Sequence, residues 1–289
     1  MATWSAPGKV FLFGEHAVVY GKPGVAMAIR PRVFVTVRRA KRATKPKSPY
    51  IERCFHELGV RGSVYVRSQL PSSSGLGSSA AVTVATLCAA NDEFGLGHER
   101  EDIAQMAYNI EKWVQKGRAS RTDTYVTTFG GLVMITGDSK RRLPPASLQV
   151  VVGNSQVSHS TARMVRRVGA LRDAHPDVIN PIMDAIEAVT LNALRSINTP
   201  REVGRYMDIN HALLDALGVG HDQLTRLVMA ARAAGAYGAK ITGAGGGGCM
   251  IALCSKRMKS RVAGALEACD ARPIMTSLDT EGARKEKNG

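Results

Sequence analysis

Residues 70–90, L-P-S-S-S-G-L-G-S-S-A-A-V-T-V-A-T-L-C-A-A, constrain the fold more than any other stretch of the chain. A polar turn with two glycines separates an alternating run (Val60, Val64, Val66) from a long block of small apolar residues. The alternation predicts a strand, and the block is long enough for a buried helix. Such a turn aims free backbone N–H groups and the positive end of a helix at one point, which suits an anion. Gly75 and Gly77 let the main chain approach a ligand closely, and Ser78 and Ser79 add hydroxyls at the first helical turn. The alternative is an ordinary strand-to-helix turn.

Two familiar phosphate cradles do not fit. The P-loop requires Gly-Lys-Ser/Thr after its glycines, and no such triplet follows this loop. G-L-G-S-S-A at 75–80 satisfies G-x-G-x-x-A, but the dinucleotide fingerprint also needs a second strand ending in Asp or Glu about 20 residues on. Here Asp92 and Glu93 belong to the same helical pattern, which stops at Gly95, and another helical pattern follows at once.

Charge narrows the partners. Lys and Arg number 39 against 24 acidic residues, a net charge of +15, which favours acidic partners. The densest run is R-R-A-K-R-A-T-K-P-K at 38–47. With a proline and no aromatic platform for bases, it predicts an exposed loop rather than a nucleic-acid surface. The five cysteines (Cys54, Cys88, Cys249, Cys254, Cys269) form no C-x-x-C pair, so reduced thiols in a cytoplasmic protein are expected. No apolar run reaches membrane-span length, so no membrane association is expected.

Read in order, Val10, Phe11, Leu12 and Phe13 form a short buried strand bounded by Pro7-Gly8 and Gly14, with Lys9 at one end and Glu15-His16 at the other. Val33, Val35 and Val37 alternate as an edge-like strand. Ile103, Met106, Ala107, Ile110 and Val114 make one stripe of an amphipathic helix, with Glu111 at its border. Asp123 follows in a stretch of short polar residues that reads as a loop, where an aspartate commonly caps or makes an Asx turn. A boundary falls near Pro144-Pro145. Beyond it, strand and helix patterns lead to K-I-T-G-A-G-G-G-G-C at 240–249, whose glycines predict backbone lying against a ligand between two strands. The terminal T-E-G-A-R-K-E-K-N-G reads as a frayed tail.

Three separated stretches then converge. A-P-G-K-V-F-L-F-G-E-H-A-V-V-Y-G at 6–21, P-S-S-S-G-L-G-S-S-A-A at 71–81 and the 240–249 stretch resemble, in order, the three motifs of the GHMP small-molecule kinases. Within that superfamily, G-E-H-A-V-V at 14–19 and D-A-L-G-V-G-H-D-Q-L at 215–224 are most similar to the mevalonate kinases. The resemblance implies a two-domain α+β fold. Residues 1–145 would form an N-terminal domain of the ribosomal protein S5 domain 2-like type, and residues 146–289 a C-terminal α/β domain. It implies transfer of the ATP γ-phosphoryl group to the C5 hydroxyl of mevalonate with Mg²⁺, and is compatible with a homodimer.

Carried over by position, the resemblance implies Asp123 and Lys9 as catalytic residues, and Ser73, Ser74, Gly75, Leu76, Gly77, Ser78, Ser79 and Ala80 as the nucleotide loop. Ser79 and Glu111 would be the magnesium ligands, and Glu15, His16 and Ala244 would line the substrate pocket. Two features depart from the pattern: Arg121 stands where the family often has glycine, and the Glu111-to-Asp123 spacing is one residue longer than in the animal enzymes. The rival readings are a phosphomevalonate, homoserine or galactose kinase and, from another class, a basic nucleic-acid-binding protein.

Overall fold

The structure, a computed structural model, describes residues 1–40, 48–71, 74–117, 119–158 and 160–287. In chain order the first half contains β1 (Ala2–Phe13), β2 (Gly24–Arg39), α1 (Pro49–Glu57), β3 (Gly62–Ser68), α2 (Ser78–Phe94), α3 (Arg100–Val114), α4 (Arg121–Phe129), β4 (Leu132–Thr136) and β5 (Ser139–Leu143). The second half contains β6 (Gln149–Asn154), α5 (Thr161–Ala174), α6 (Pro176–Arg195), α7 (Pro200–Ala216), α8 (Asp222–Ala233), β7 (Gly238–Thr242), β8 (Cys249–Leu253), α9 (Lys259–Glu267), β9 (Arg272–Ser277) and β10 (Arg284–Lys285). One sheet runs β10-β1-β2-β4-β5 with β3 also on β2, and the other runs β7-β8-β6-β9.

The first sheet is built on β2. Its second half pairs with β1 and β3, and its first half with β1 and β4. The expectation of an edge strand at 33–37 is therefore corrected: Val33, Val35 and Val37 are fully buried in the middle of the sheet. β1 likewise runs straight through Pro7-Gly8 instead of starting after them. The register shifts there because Arg30 and Pro31 of β2 bulge out of the ladder, and a bulge is where a residue without an N–H fits. Val60 lies just ahead of β3 rather than in it.

α2 packs against this sheet with small residues on nearly every side, and Ala80, Ala81, Val84, Ala85, Leu87, Ala89 and Ala90 are fully buried. Its threonines stay satisfied inside the core because Thr83 and Thr86 donate to the carbonyls of Ser79 and Val82. α2 stops at Gly95, which takes the left-handed conformation as a helix C-terminus favours.

Two further expectations are overturned. The stretch around Asp123 is a helix rather than a loop. Ser120 caps it by accepting a hydrogen bond from the Thr122 N–H, and Asp123 falls in its first turn, where a negative charge suits the helix dipole. The C-terminal segment is not frayed over its described length. Arg284 and Lys285 pair with Ser5 and Trp4, and Asp279 to Ala283 are tied to β2 and the end of α4. The chain thus crosses to a second sheet after residue 145 and returns to the first at its end.

Candidate active site

A cleft of about 1070 Å³ opens where the two sheets meet. Its first wall is the turn ahead of α2. Lys9 N–H donates to the Leu76 carbonyl at 2.9 Å, which lays that turn along β1. The contact requires Gly8: a Cβ there would stand 2.6 Å from the Leu70 side chain and 2.9 Å from the Leu76 carbonyl oxygen. Gly77 caps α2 at φ 75°, and any side chain on it would press on the Lys9 stem, 2.9 Å from Cγ. Small residues at 8 and 77 therefore let a loop, a strand and a lysine share one corner.

Ser74, Gly75, Gly77, Ser78 and Ser79 line the cleft. The Ser74 hydroxyl donates to the Pro71 carbonyl at 2.9 Å, so it shapes the loop. Leu76 and Ala80 do not line the cleft. Their side chains are fully buried, which leaves only their backbone for a ligand. Ser73 lies outside the described residues.

The second wall carries the chemistry-bearing groups. Lys9 Nζ stands 3.1 Å from Asp123 Oδ1, joining β1 to the first turn of α4. Glu111, on α3, is only 2% exposed, and its Oε1 has no partner. Burial pushes its carboxyl up to about 7; a hydrogen bond with Ser79 pulls it back, the Asp123 charge raises it, and Lys9 lowers it. A buried carboxyl with an open oxygen next to a serine hydroxyl offers two oxygen atoms to a cation or a hydrogen-bond donor.

The third wall joins the halves. Thr242, at the end of β7, accepts from Phe11 N–H at 2.8 Å and donates to Phe11 O at 3.0 Å, splicing β7 onto β1. His16 Nε2 stands 3.0 Å from the Ala244 carbonyl oxygen. Burial holds this imidazole below its usual range, against the Ala244 contact and the Glu15 charge. Glu15 is paired with Lys240, and Glu15, His16 and Ala244 all face the cleft. The 243–248 turn keeps every glycine at positive φ, so no other residue type would follow this path without strain.

The structure thus brings Lys9, Glu15, His16, Ser79, Glu111, Asp123 and Ala244 to one cleft from six separate elements. Sequence reasoning missed Tyr50, Gln115, Thr242 and Arg166, which line it too. Tyr50 and Gln115 carried no motif. Arg166 sits on the outer face of an ordinary amphipathic pattern. Arg121, the departure from the family pattern, does not enter this cleft: it pairs with Asp138 at 3.0 Å and lies over the Tyr108 ring. The described start of the 38–47 basic run also has a structural use, since Arg39 binds Glu93 and stacks on Phe94; residues 41–47 are outside the described set.

Known proteins resemble this chain in both of its halves. The GHMP kinases N terminal domain model matches residues 37–131, and the GHMP kinases C terminal model matches residues 183–271. The mevalonate kinase of Thermococcus sibiricus is 38% identical, over 98% of this chain and 97% of its own length. The crystal structure of the Methanococcus jannaschii mevalonate kinase superposes with a TM-score of 0.85 at 26% identity, covering 96% of this chain and 98% of its own. The L. major mevalonate kinase in complex with R-mevalonate has a TM-score of 0.86 at 22% identity, covering 96% and 95%, a likeness of fold. No helix among the described residues is long and apolar enough to cross a membrane. With both GHMP halves matched and the identity extending from end to end, the chain belongs to the mevalonate kinase family of the GHMP kinases.

Proposed function

We propose that the chain transfers the γ-phosphoryl group of ATP to the C5 hydroxyl of (R)-mevalonate, in the cleft between halves 1–145 and 146–289. The observation that carries this reading is the meeting of Lys9, Asp123, Glu111 and Ser79 beside the glycine turn at the head of α2. Phosphoryl transfer needs little covalent help from a protein, so placement and charge neutralisation do most of the catalysis.

In this reading the amides of residues 75–79 hold the β- and γ-phosphates at the positive end of α2. Asp123 takes the proton of the attacking hydroxyl as the oxygen–phosphorus bond forms. Lys9, 3.1 Å away, stabilises negative charge developing on that oxygen. Mg²⁺ fits the pair Ser79 and Glu111: both offer oxygen, one carboxylate oxygen is open, and Mg²⁺ usually takes one or two protein ligands with phosphate oxygens and water. When bound it supplies neutralisation of the phosphate charge. Five free thiols suit a reducing, cytoplasmic setting.

Arg166 is assigned to the mevalonate carboxylate by elimination. The only Lys and Arg side chains among the described lining residues are Lys9 and Arg166, and Lys9 is committed to Asp123. A charge-assisted hydrogen bond contributes roughly 1.5–3 kcal/mol, so Arg166→Gln should raise KM for mevalonate about 10-fold or more and leave KM for ATP nearly unchanged. Ser79→Ala should weaken use of Mg·ATP more than affinity for mevalonate; steady-state kinetics showing the reverse would misplace the metal. The reading as a whole is tested by ADP release with mevalonate, galactose, homoserine and phosphomevalonate offered separately. Release confined to mevalonate is expected, and preference for another substrate would overturn it.

A further inference from the structure

Lys240 is fully buried in the middle of β7, a strand with every residue buried. Its ammonium donates to Glu15 Oε1 and, at 2.6 Å, to the Ile241 carbonyl. The other carboxylate oxygen, Glu15 Oε2, is buried without a partner, and Glu15 lies on the cleft wall. A buried ion pair is a poor staple, because two apolar side chains of similar volume usually serve stability as well or better. A pair that commits one carboxylate oxygen and leaves the second unpartnered beside a substrate cleft is arranged for a ligand that donates a hydrogen bond.

We propose that Lys240 is a positioning residue: it holds the Glu15 carboxylate charged and oriented so that Oε2 accepts a hydrogen bond from the substrate hydroxyl that is not phosphorylated. This rests on mevalonate being the substrate; the reacting C5 hydroxyl belongs to Asp123, which leaves the C3 hydroxyl for Glu15. The other ionisable neighbours cannot replace Lys240. His16, adjacent to Glu15, is held towards its neutral form by burial and faces Ala244. On the far side of Lys240, burial lowers His211 of α7 to about 4, with Asp215 opposing and Arg232 and Lys240 assisting, so it is neutral near pH 7. Lys240 is itself pushed down by burial and held up by Glu15.

The test compares the unmutated chain, Lys240→Met and Lys240→Met/Glu15→Gln, each with mevalonate and with 5-hydroxy-3-methylpentanoate, which lacks the C3 hydroxyl. Removing the cation leaves a buried carboxylate without countercharge, which favours its protonated form. Lys240→Met should therefore raise KM for mevalonate about 10-fold or more, the scale of a lost charge-assisted bond, with KM for ATP changing by less than about twofold. Its kcat/KM for mevalonate should fall on the acid side at a higher pH than in the unmutated chain. The unmutated chain should prefer mevalonate over the analogue by about 10-fold or more, and both variants should lose most of that preference.

If Lys240→Met does not fold, the double variant, which buries no charge there, carries the same KM and substrate-preference expectations; it has no acid-side shift to show, because an amide does not titrate. Variants with reduced thermal stability but an unchanged pH profile and undiminished preference for mevalonate would make the pair a staple only and overturn the proposal. Absence of mevalonate phosphorylation in the unmutated chain would overturn the substrate assignment and this inference with it, and shows before any variant is made.

Discussion

Asp123→Asn is expected to lower kcat by about 10²–10⁴-fold, the usual range for loss of a general base. Asparagine keeps the shape and the place of the side chain in the first turn of α4, where Ser120 caps the helix independently. It cannot take the substrate proton, and it no longer presents a carboxylate to Lys9. The fold should survive, because the Asp123 side chain is 22% exposed and the Lys9 charge still acts on Glu111. The measurement is coupled ADP release at saturating ATP and mevalonate, with thermal unfolding alongside. Turnover close to that of the unmutated chain would remove Asp123 from the chemistry.

The second large effect concerns stability. Arg32→Met is expected to cost about 3–5 kcal/mol, the scale for removing one partner of a buried ion pair. The Arg32 guanidinium, 4% exposed, pairs with Asp279, donates to Ser5 Oγ at 2.7 Å, and also reaches the Ser5 and Gly282 carbonyls. Asp279 in turn accepts from the N–H groups of Glu281 and Gly282, while its own carbonyl accepts from Gly131 N–H. Ala283 N–H donates to Thr128 O. These contacts fasten the C-terminal segment to the last turn of α4, the helix that carries Asp123. Equilibrium urea unfolding measures the loss, and a change below about 1 kcal/mol would show that the network contributes little beyond packing. Amide exchange at Gly131 and Ala283 should also speed up, since Gly131 N–H donates to the Asp279 carbonyl and Ala283 N–H to the Thr128 carbonyl.

Much of the site was legible because its parts are local. The turn at 74–79 announces itself through glycines and serines between an alternating run and a small-residue helix, a pattern set by neighbours in sequence. The helices at 103–114, 179–193 and 224–231 followed from 3.6-residue periodicity, which survives whenever one face is buried. Asp123 was visible as an aspartate in a polar stretch, yet α4 was not, because six of its nine residues, Arg121 to Phe129, are Thr or aromatic and favour helices weakly. Packing on β1 and α2 overrides that preference. β5, S-K-R-R-L, has no apolar alternation to mark it as a strand and becomes one only because β4 lies beside it.

The sequence by itself determined the glycine-serine turn at 74–79, the glycine hairpin at 243–248 and the order of three motifs, because each is written in consecutive residues whose backbone needs are local. Tertiary structure alone decided that β2 is central rather than an edge, that the C-terminal segment closes onto the first sheet, and that Lys240 lies beneath Glu15. Those outcomes depend on pairings between residues tens to hundreds of positions apart. Burial and charge compensation choose such partners only after the chain has closed on itself, so no local pattern announces them.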